Sequence, residues 1–247
     1  MIRTVFAAAV MLAGAAQAEI QAGYHQYTVG ERSYEGYVAT NTAITPKGTV
    51  LIVHDWDGMT AYEERRAEML AALGYTAFAI DVYGADEDPK TVDENRALSG
   101  ALYGDREEFR ARLMGSIMEA ANIAGATDDI VIMGYCFGGA AVLEAARAGA
   151  DLEGFVSFHG GLGTPEGQDY SATSAPVMLF HGSADPVSGM GDLAALLDQL
   201  QGAGVEHGAQ VFGGARHSFT VYGSSDYDLT ADQGSWEGLL GFLDNRL

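Results

Sequence analysis

Cysteine occurs once in the 247 residues, at Cys136. Exported proteins use cysteines in pairs, as disulfides, so a lone thiol excludes a disulfide framework. Such a thiol is kept because it is buried and inert or because it does chemistry. Lysine is nearly absent, with only Lys47 and Lys90. Lysine and arginine together number 13 against 34 aspartates and glutamates, a formal charge of −21. A surface so acidic repels phosphate backbones and anionic lipid, which argues against a nucleic-acid partner. The acids form no single block, so the charge reads as solubility. An anionic substrate would need local cations in its cleft. No histidine pair has the spacing of a helical zinc site and no cysteine cluster exists, so no metal or other cofactor is expected.

The chain also lacks any apolar run long enough to span a bilayer comfortably. Its longest, Val5–Leu12, follows Arg3 and precedes Ala16-Gln17-Ala18, a small-x-small cleavage site. Residues 1–18 are therefore expected to be a removable export signal, leaving a periplasmic or secreted chain that opens at Glu19. Residues 19–247 show no linker, repeat or low-complexity tract and are read as one domain, a monomer or weak dimer.

What is present is alternation. Tyr24–Thr28 and Tyr34–Ala39 flank Gly30-Glu31-Arg32 and predict an antiparallel hairpin. Short β-branched runs at Thr49–His54, Thr76–Asp81, Ile130–Tyr135, Phe155–His159, Val177–His181 and Gln210–Phe212 predict buried strands. Between them lie helical periods. Thr60-Ala61-Tyr62-Glu63 is a capping box opening a helix that stops at Gly74. Further helices are predicted at Val92–Tyr103, Glu107–Ile123, Gly138–Ala148, Leu193–Leu200 and Ser235–Leu247. Phe109, Leu113, Ile117 and Ala120 share one face of the third. Strands alternating with helices predict an α/β fold, a mostly parallel sheet covered on both faces, with an antiparallel start that fits the α/β-hydrolase pattern.

Ligands in such sheets bind beyond the carboxyl ends of the strands. The Gly-rich, polar segments fall there. Gly134-Tyr135-Cys136-Phe137-Gly138 follows a strand and opens a helix, the form of a nucleophile elbow with Cys in place of Ser. The helix start favours a thiolate at Cys136. A nucleophile of this kind needs a base and an orienter, in the chain order nucleophile, acid, histidine. Asp185 and His217 occupy the expected loops. Alternatively, Asp185 is a turn former before Pro186 and His217 a surface histidine, with Asp81 or Asp55 the next acids to weigh. The oxyanion donors are expected to be the N–H groups of Phe137 and Trp56. His54, His159 and His181 end strands and read as interior residues; His25 and His207 read as surface residues.

The strings V-L-I-V-H-D-W-D-G (50–58), A-I-D-V-Y-G (79–84), M-G-Y-C-F-G-G (133–139), L-F-H-G-S-A-D (179–185) and R-H-S-F (216–219) together resemble the dienelactone hydrolase family across nearly all of residues 19–247. The resemblance implies a metal-free hydrolase that cleaves lactones or small esters through a cysteine acyl-enzyme, with Cys136, Asp185 and His217 as its triad. Asp55 falls where the family carries a Glu that holds the resting thiol, and it is one methylene shorter. Arg96 matches an arginine that binds the substrate carboxylate, or else pairs with Asp93 on the helix surface. A second such arginine is missing after His217, where Ser218 is instead the candidate substrate contact. Two other readings are a peroxide-reactive thiol protein, which would want a resolving cysteine, and a non-catalytic binding module.

Overall fold

The structure is a computed structural model, and it describes residues 19–247. The expected export signal lies outside the described residues. The chain begins with the hairpin β1 (Ile20–Val29) and β2 (Arg32–Asn41), followed by β3 (Thr49–Val53), α1 (Ala61–Ala72) and β4 (Thr76–Ile80). Then come α2 (Val92–Gly104), α3 (Arg106–Glu119), a short 3-10 turn, β5 (Ile130–Tyr135) and α4 (Phe137–Arg147). The rest is β6 (Gly154–Phe158), β7 (Val177–Gly182), α5 (Met190–Ala203), β8 (His207–Phe212) and α6 (Leu229–Asp244).

The eight strands form one sheet in the order β1-β2-β4-β3-β5-β6-β7-β8. β1, β2 and β4 pair antiparallel; all further pairs are parallel. β3 to β8 therefore present their carboxyl ends to one edge. The chain winds one way from β3 to β4 and the other way from β3 to β5, so a crevice opens at that edge between β3 and β5.

Side chains alternate across the sheet with period two. Leu51, Val53, Phe78, Ile80, Ile132 and Phe155 face one core with residues of α2, α3, α4 and α5. Val50, Ile52, Ala77, Ala79, Val131 and Val156 face the other, with residues of α1 and α6. The strands are buried on both faces, which is why they read as continuous apolar runs. Every residue of α4, the helix behind Cys136, is buried.

Several elements are longer than the sequence pattern. β1 extends back to Ile20, pairing with Asn41 through backbone bonds while the added residues 20–23 stay exposed. β8 begins at His207 as a half-exposed edge. α6 starts at Leu229, where the Asp228 carboxylate accepts from the Ala231 N–H as an N-cap. Backbone pairing defines the added residues of β1 and β8, and the cap defines those of α6, where Ala231 and Asp232 are buried but only the small Ala231 is apolar.

Candidate active site

The turn from β5 into α4 is tight. A Cβ on Gly138 would lie 2.1 Å from the Val53 carbonyl oxygen, and one on Gly134 would lie 2.3 Å from the Gly138 carbonyl oxygen. Only glycine permits that approach. Between them Cys136 takes φ 51° and ψ −110°, a strained conformation for a residue with a side chain. Its N–H is held by the Phe158 carbonyl (3.1 Å) and by His159 Nδ1 (3.2 Å). His159 Nε2 in turn bonds the Thr220 hydroxyl at 2.8 Å. Burial holds His159 well below the ordinary histidine pKa, which suits a neutral ring accepting at Nδ1 and donating from Nε2.

Cys136 Sγ lies 3.1 Å from His217 Nε2, and His217 Nδ1 lies 2.8 Å from Asp185 Oδ2. The other Asp185 oxygen accepts from the N–H groups of Val187 (2.7 Å) and Ser188 (3.1 Å). Burial alone would raise the Asp185 pKa. The hydrogen bond and charge of His217 and the two backbone donors hold it below the usual value, so the group stays ionised. The structure thus brings together three residues drawn from the ends of β5, β7 and β8.

Burial pushes the Cys136 thiol well above its ordinary pKa, and the Asp55 carboxyl pushes it further. The amides of Phe137 and Trp56 face the sulfur and pull in the opposite direction. Burial dominates, so the resting group is a thiol hydrogen-bonded to His217. The Trp56 loop is itself pinned. The Tyr83 hydroxyl donates to the Trp56 carbonyl at 3.0 Å, and His54 Nδ1 bonds the Asp55 carbonyl at 2.6 Å.

Asp55 is buried, and its Oδ1 accepts from the Asp57 N–H at 3.0 Å rather than from the thiol. Burial, the Asp57 carboxyl and the Glu63 carboxylate all raise the Asp55 pKa. Its shorter side chain belongs to a carboxyl cluster beneath the Trp56 loop. A cavity of about 290 Å³ opens over Cys136. It is walled by Trp56, Tyr103, Phe137 and Val187, with Ser99, His217 and Ser218 supplying the polar atoms.

Arg96 is not in that cavity. The buried stripe of α2 runs through Asn95, Ser99 and Leu102. Arg96 sits off it, exposed, with its guanidinium turned back to Asp93 at 2.8 Å. Of the two readings open for Arg96, the pair with Asp93 is the one this structure displays. Tyr103 and Ser99, missed in the sequence, wall the site from α2, and only their spacing of four on a helix flagged them. Among the described residues, no three His, Cys, Asp or Glu side chains are placed to hold a metal ion, and no helix is long and apolar enough to cross a membrane.

A mostly parallel sheet with an antiparallel start, and a strained strand–helix elbow at its carboxyl edge, defines an α/β-hydrolase fold. The chain belongs to the dienelactone hydrolase family, whose family model matches residues 34–247. It is 24% identical over 204 residues to a probable 2-oxo-3-(5-oxofuran-2-ylidene)propanoate lactonase from Bradyrhizobium sp., covering 78% of this chain and 82% of that one. A dienelactone hydrolase-like promiscuous phosphotriesterase from metagenomic libraries superposes with a TM-score of 0.86 at 28% identity, covering 93% of this chain and 99% of the other. A putative dienelactone hydrolase from Klebsiella pneumoniae shares the fold at a TM-score of 0.81 and 21% identity, covering 92% of this chain and 99% of that one. The protein is a hydrolase of this family.

Proposed function

We propose that this hydrolase cleaves small carboxylic esters or lactones through a Cys136 acyl-enzyme, with His217 as base and Asp185 as its orienter. The observation that carries the reading is the continuous path Cys136 Sγ–His217 Nε2 (3.1 Å) and His217 Nδ1–Asp185 Oδ2 (2.8 Å) beneath an open cavity.

Because the resting thiol is neutral, its proton passes to His217 as sulfur attacks the carbonyl carbon. Asp185 stabilises the imidazolium that results. The carbonyl oxygen becomes an oxyanion facing the N–H groups of Phe137 and Trp56. As the intermediate collapses, the imidazolium gives its proton to the leaving alkoxide. Water, deprotonated by His217, then attacks the thioester, and the thiol leaves with the proton. The lactonase relative's name favours a cyclic ester among the substrates. The wall of Trp56, Tyr103, Phe137 and Val187 favours an apolar group next to the carbonyl. Among the described residues no arginine lines the cavity, so a carboxylate beside the scissile bond meets no guanidinium there. The peroxide-reactive reading needs a resolving thiol, which the sequence lacks.

We further propose that the chain is exported as a monomer or weak dimer after cleavage behind Ala18. N-terminal sequencing of a periplasmic fraction is expected to begin at Glu19; a chain retained with Met1 would overturn this. The catalytic reading is tested with p-nitrophenyl acetate. Wild type is expected to turn it over, and Cys136→Ala to fall to the uncatalysed rate while keeping its circular dichroism. A folded Cys136→Ala with wild-type kcat would remove Cys136 from the chemistry.

A further inference from the structure

Charge on this protein is distributed with one exception. Outside α3 and α4, each described lysine and arginine has a carboxylate to itself, as in Arg66–Asp232 and Arg216–Asp226. Arg106, Arg110 and Arg147 instead converge on one carboxylate, the fully buried Glu144. Arg106 Nη1 and Arg147 Nη2 reach Oε2 at 3.1 and 2.8 Å, and Arg110 Nε reaches Oε1 at 2.7 Å. Among the described residues, no other carboxylate comes within ion-pair distance of the three. In a chain with 34 acids, this cluster carries an excess of positive charge.

Two of its members face outward. Arg147 is spent internally on Gln168, Tyr170 and Glu144. Arg106 and Arg110 are 30% and 33% exposed, and each makes only its one bond to Glu144 among the described residues. A guanidinium has a fork of N–H donors, so most of theirs remain unused. Through Arg106 the cluster reaches the wall of the cavity over Cys136. The Arg106 guanidinium lies over the Tyr103 ring, 4.8 Å from its centroid, and the same ring walls the cavity 5.4 Å from Phe137. The Tyr103 phenol, which burial holds above its ordinary pKa, is close enough to feel the Cys136 sulfur and both Arg106 and Arg147.

We propose that Arg106 and Arg110 form an anion subsite at the outer end of the cavity. It takes a carboxylate or like oxyanion carried by the substrate on a chain long enough to cross Tyr103. The proposal rests on the ester-hydrolase reading and adds a substrate class to it: long ω-acidic esters. The apolar chain lies along the Tyr103 face, and the terminal oxyanion meets two forks already oriented by Glu144. A carboxylate beside the scissile carbonyl is too near to reach them and meets only the apolar wall.

The test uses p-nitrophenyl esters of glutaric, adipic and suberic acid, each against the same ester with its free end capped as the methyl ester. The readout is the ratio of kcat/KM, acid over capped. A loss of folded enzyme cancels in that ratio. Wild type is expected to give a ratio at or below one at the shortest length. With length the ratio should rise to about five- to tenfold in favour of the acid, the scale of one charge-assisted contact. Arg106→Gln, which leaves Glu144 two arginines, should return the ratio to that of the shortest pair, whereas Arg216→Gln should keep the rise. A ratio that never exceeds one overturns the subsite. So does a rise that survives both Arg106→Gln and Arg110→Gln. If wild type turns over neither acid nor capped esters, the hydrolase reading itself fails, and the subsite with it.

Discussion

Cys136 combines two features that oppose each other. Its burial and the neighbouring Asp55 disfavour the thiolate, while the helix start and two amides favour it. In the proposed mechanism this thiol hands its proton to His217 during attack, which requires His217 to present the correct tautomer. Asp185 fixes that tautomer through Nδ1. Asp185→Asn is therefore expected to lower kcat by about three to four orders of magnitude with little change in KM, read from steady-state kinetics. Activity within about threefold of wild type would mean that another acid serves. That Cys136, His217 and Asp185 come together was legible in the sequence, because elbow, acid and histidine come in a fixed order at strand ends. The substrate contacts were less legible. Arg96 carries the family pattern, yet helix geometry sets it off the buried stripe and beside Asp93. Asp55 keeps its position but lacks the reach of a Glu, and it bonds the Asp57 amide instead.

At the scale of elements, the site depends on how closely β3, β5 and α4 approach. Gly138 packs its Cα against the Val53 and His54 carbonyls, a contact that no side chain survives. Gly138→Ala is expected to cost about 3 kcal/mol or more, because the atoms that its Cβ would meet are backbone and cannot step aside. Urea unfolding checks this, and a midpoint unchanged from wild type would show that the elbow has slack. The helices and central strands were legible because each buries a stripe or an apolar run. The first turns of β1 and of α6 were not. β1 is extended by ladder bonds to β2, and α6 by the Asp228 cap, neither of which leaves a hydrophobic period. The pairing of the arginines with Glu144 was equally hidden, since it joins α3 to α4 across sequence distance.

For the whole molecule, pH acts through buried groups that pull in opposite directions. Burial lowers the pKa of His54, His159 and His181, so the unfolded chain binds protons below 6.5 that the folded chain refuses. Stability from this source grows as pH rises to that value. Burial raises Glu63 from its ordinary 4.5 to about 7, and raises Asp55 too. The Glu63 contribution is complete below about 4.5 and is lost as pH climbs to about 7, and the raised Asp55 acts in the same direction. Each unit of such a shift is worth about 1.4 kcal/mol. Above 6.5 only the carboxyl effect remains. Thermal midpoints are thus expected to peak near pH 6.5 and to fall by pH 8; a midpoint still rising between pH 7 and 8 would contradict this balance. The net charge of −21 adds self-repulsion, so salt is expected to raise the midpoint at pH 8. The central claim of the proposed function is transfer of an acyl group to Cys136. The most direct test is to mix enzyme with a slowly deacylated p-nitrophenyl ester, quench in acid within milliseconds, and weigh the protein. The expected result is one added acyl group, mapped to the peptide containing Cys136 and absent after hydroxylamine. Turnover of the ester with no acyl group on Cys136 at any time point would contradict it.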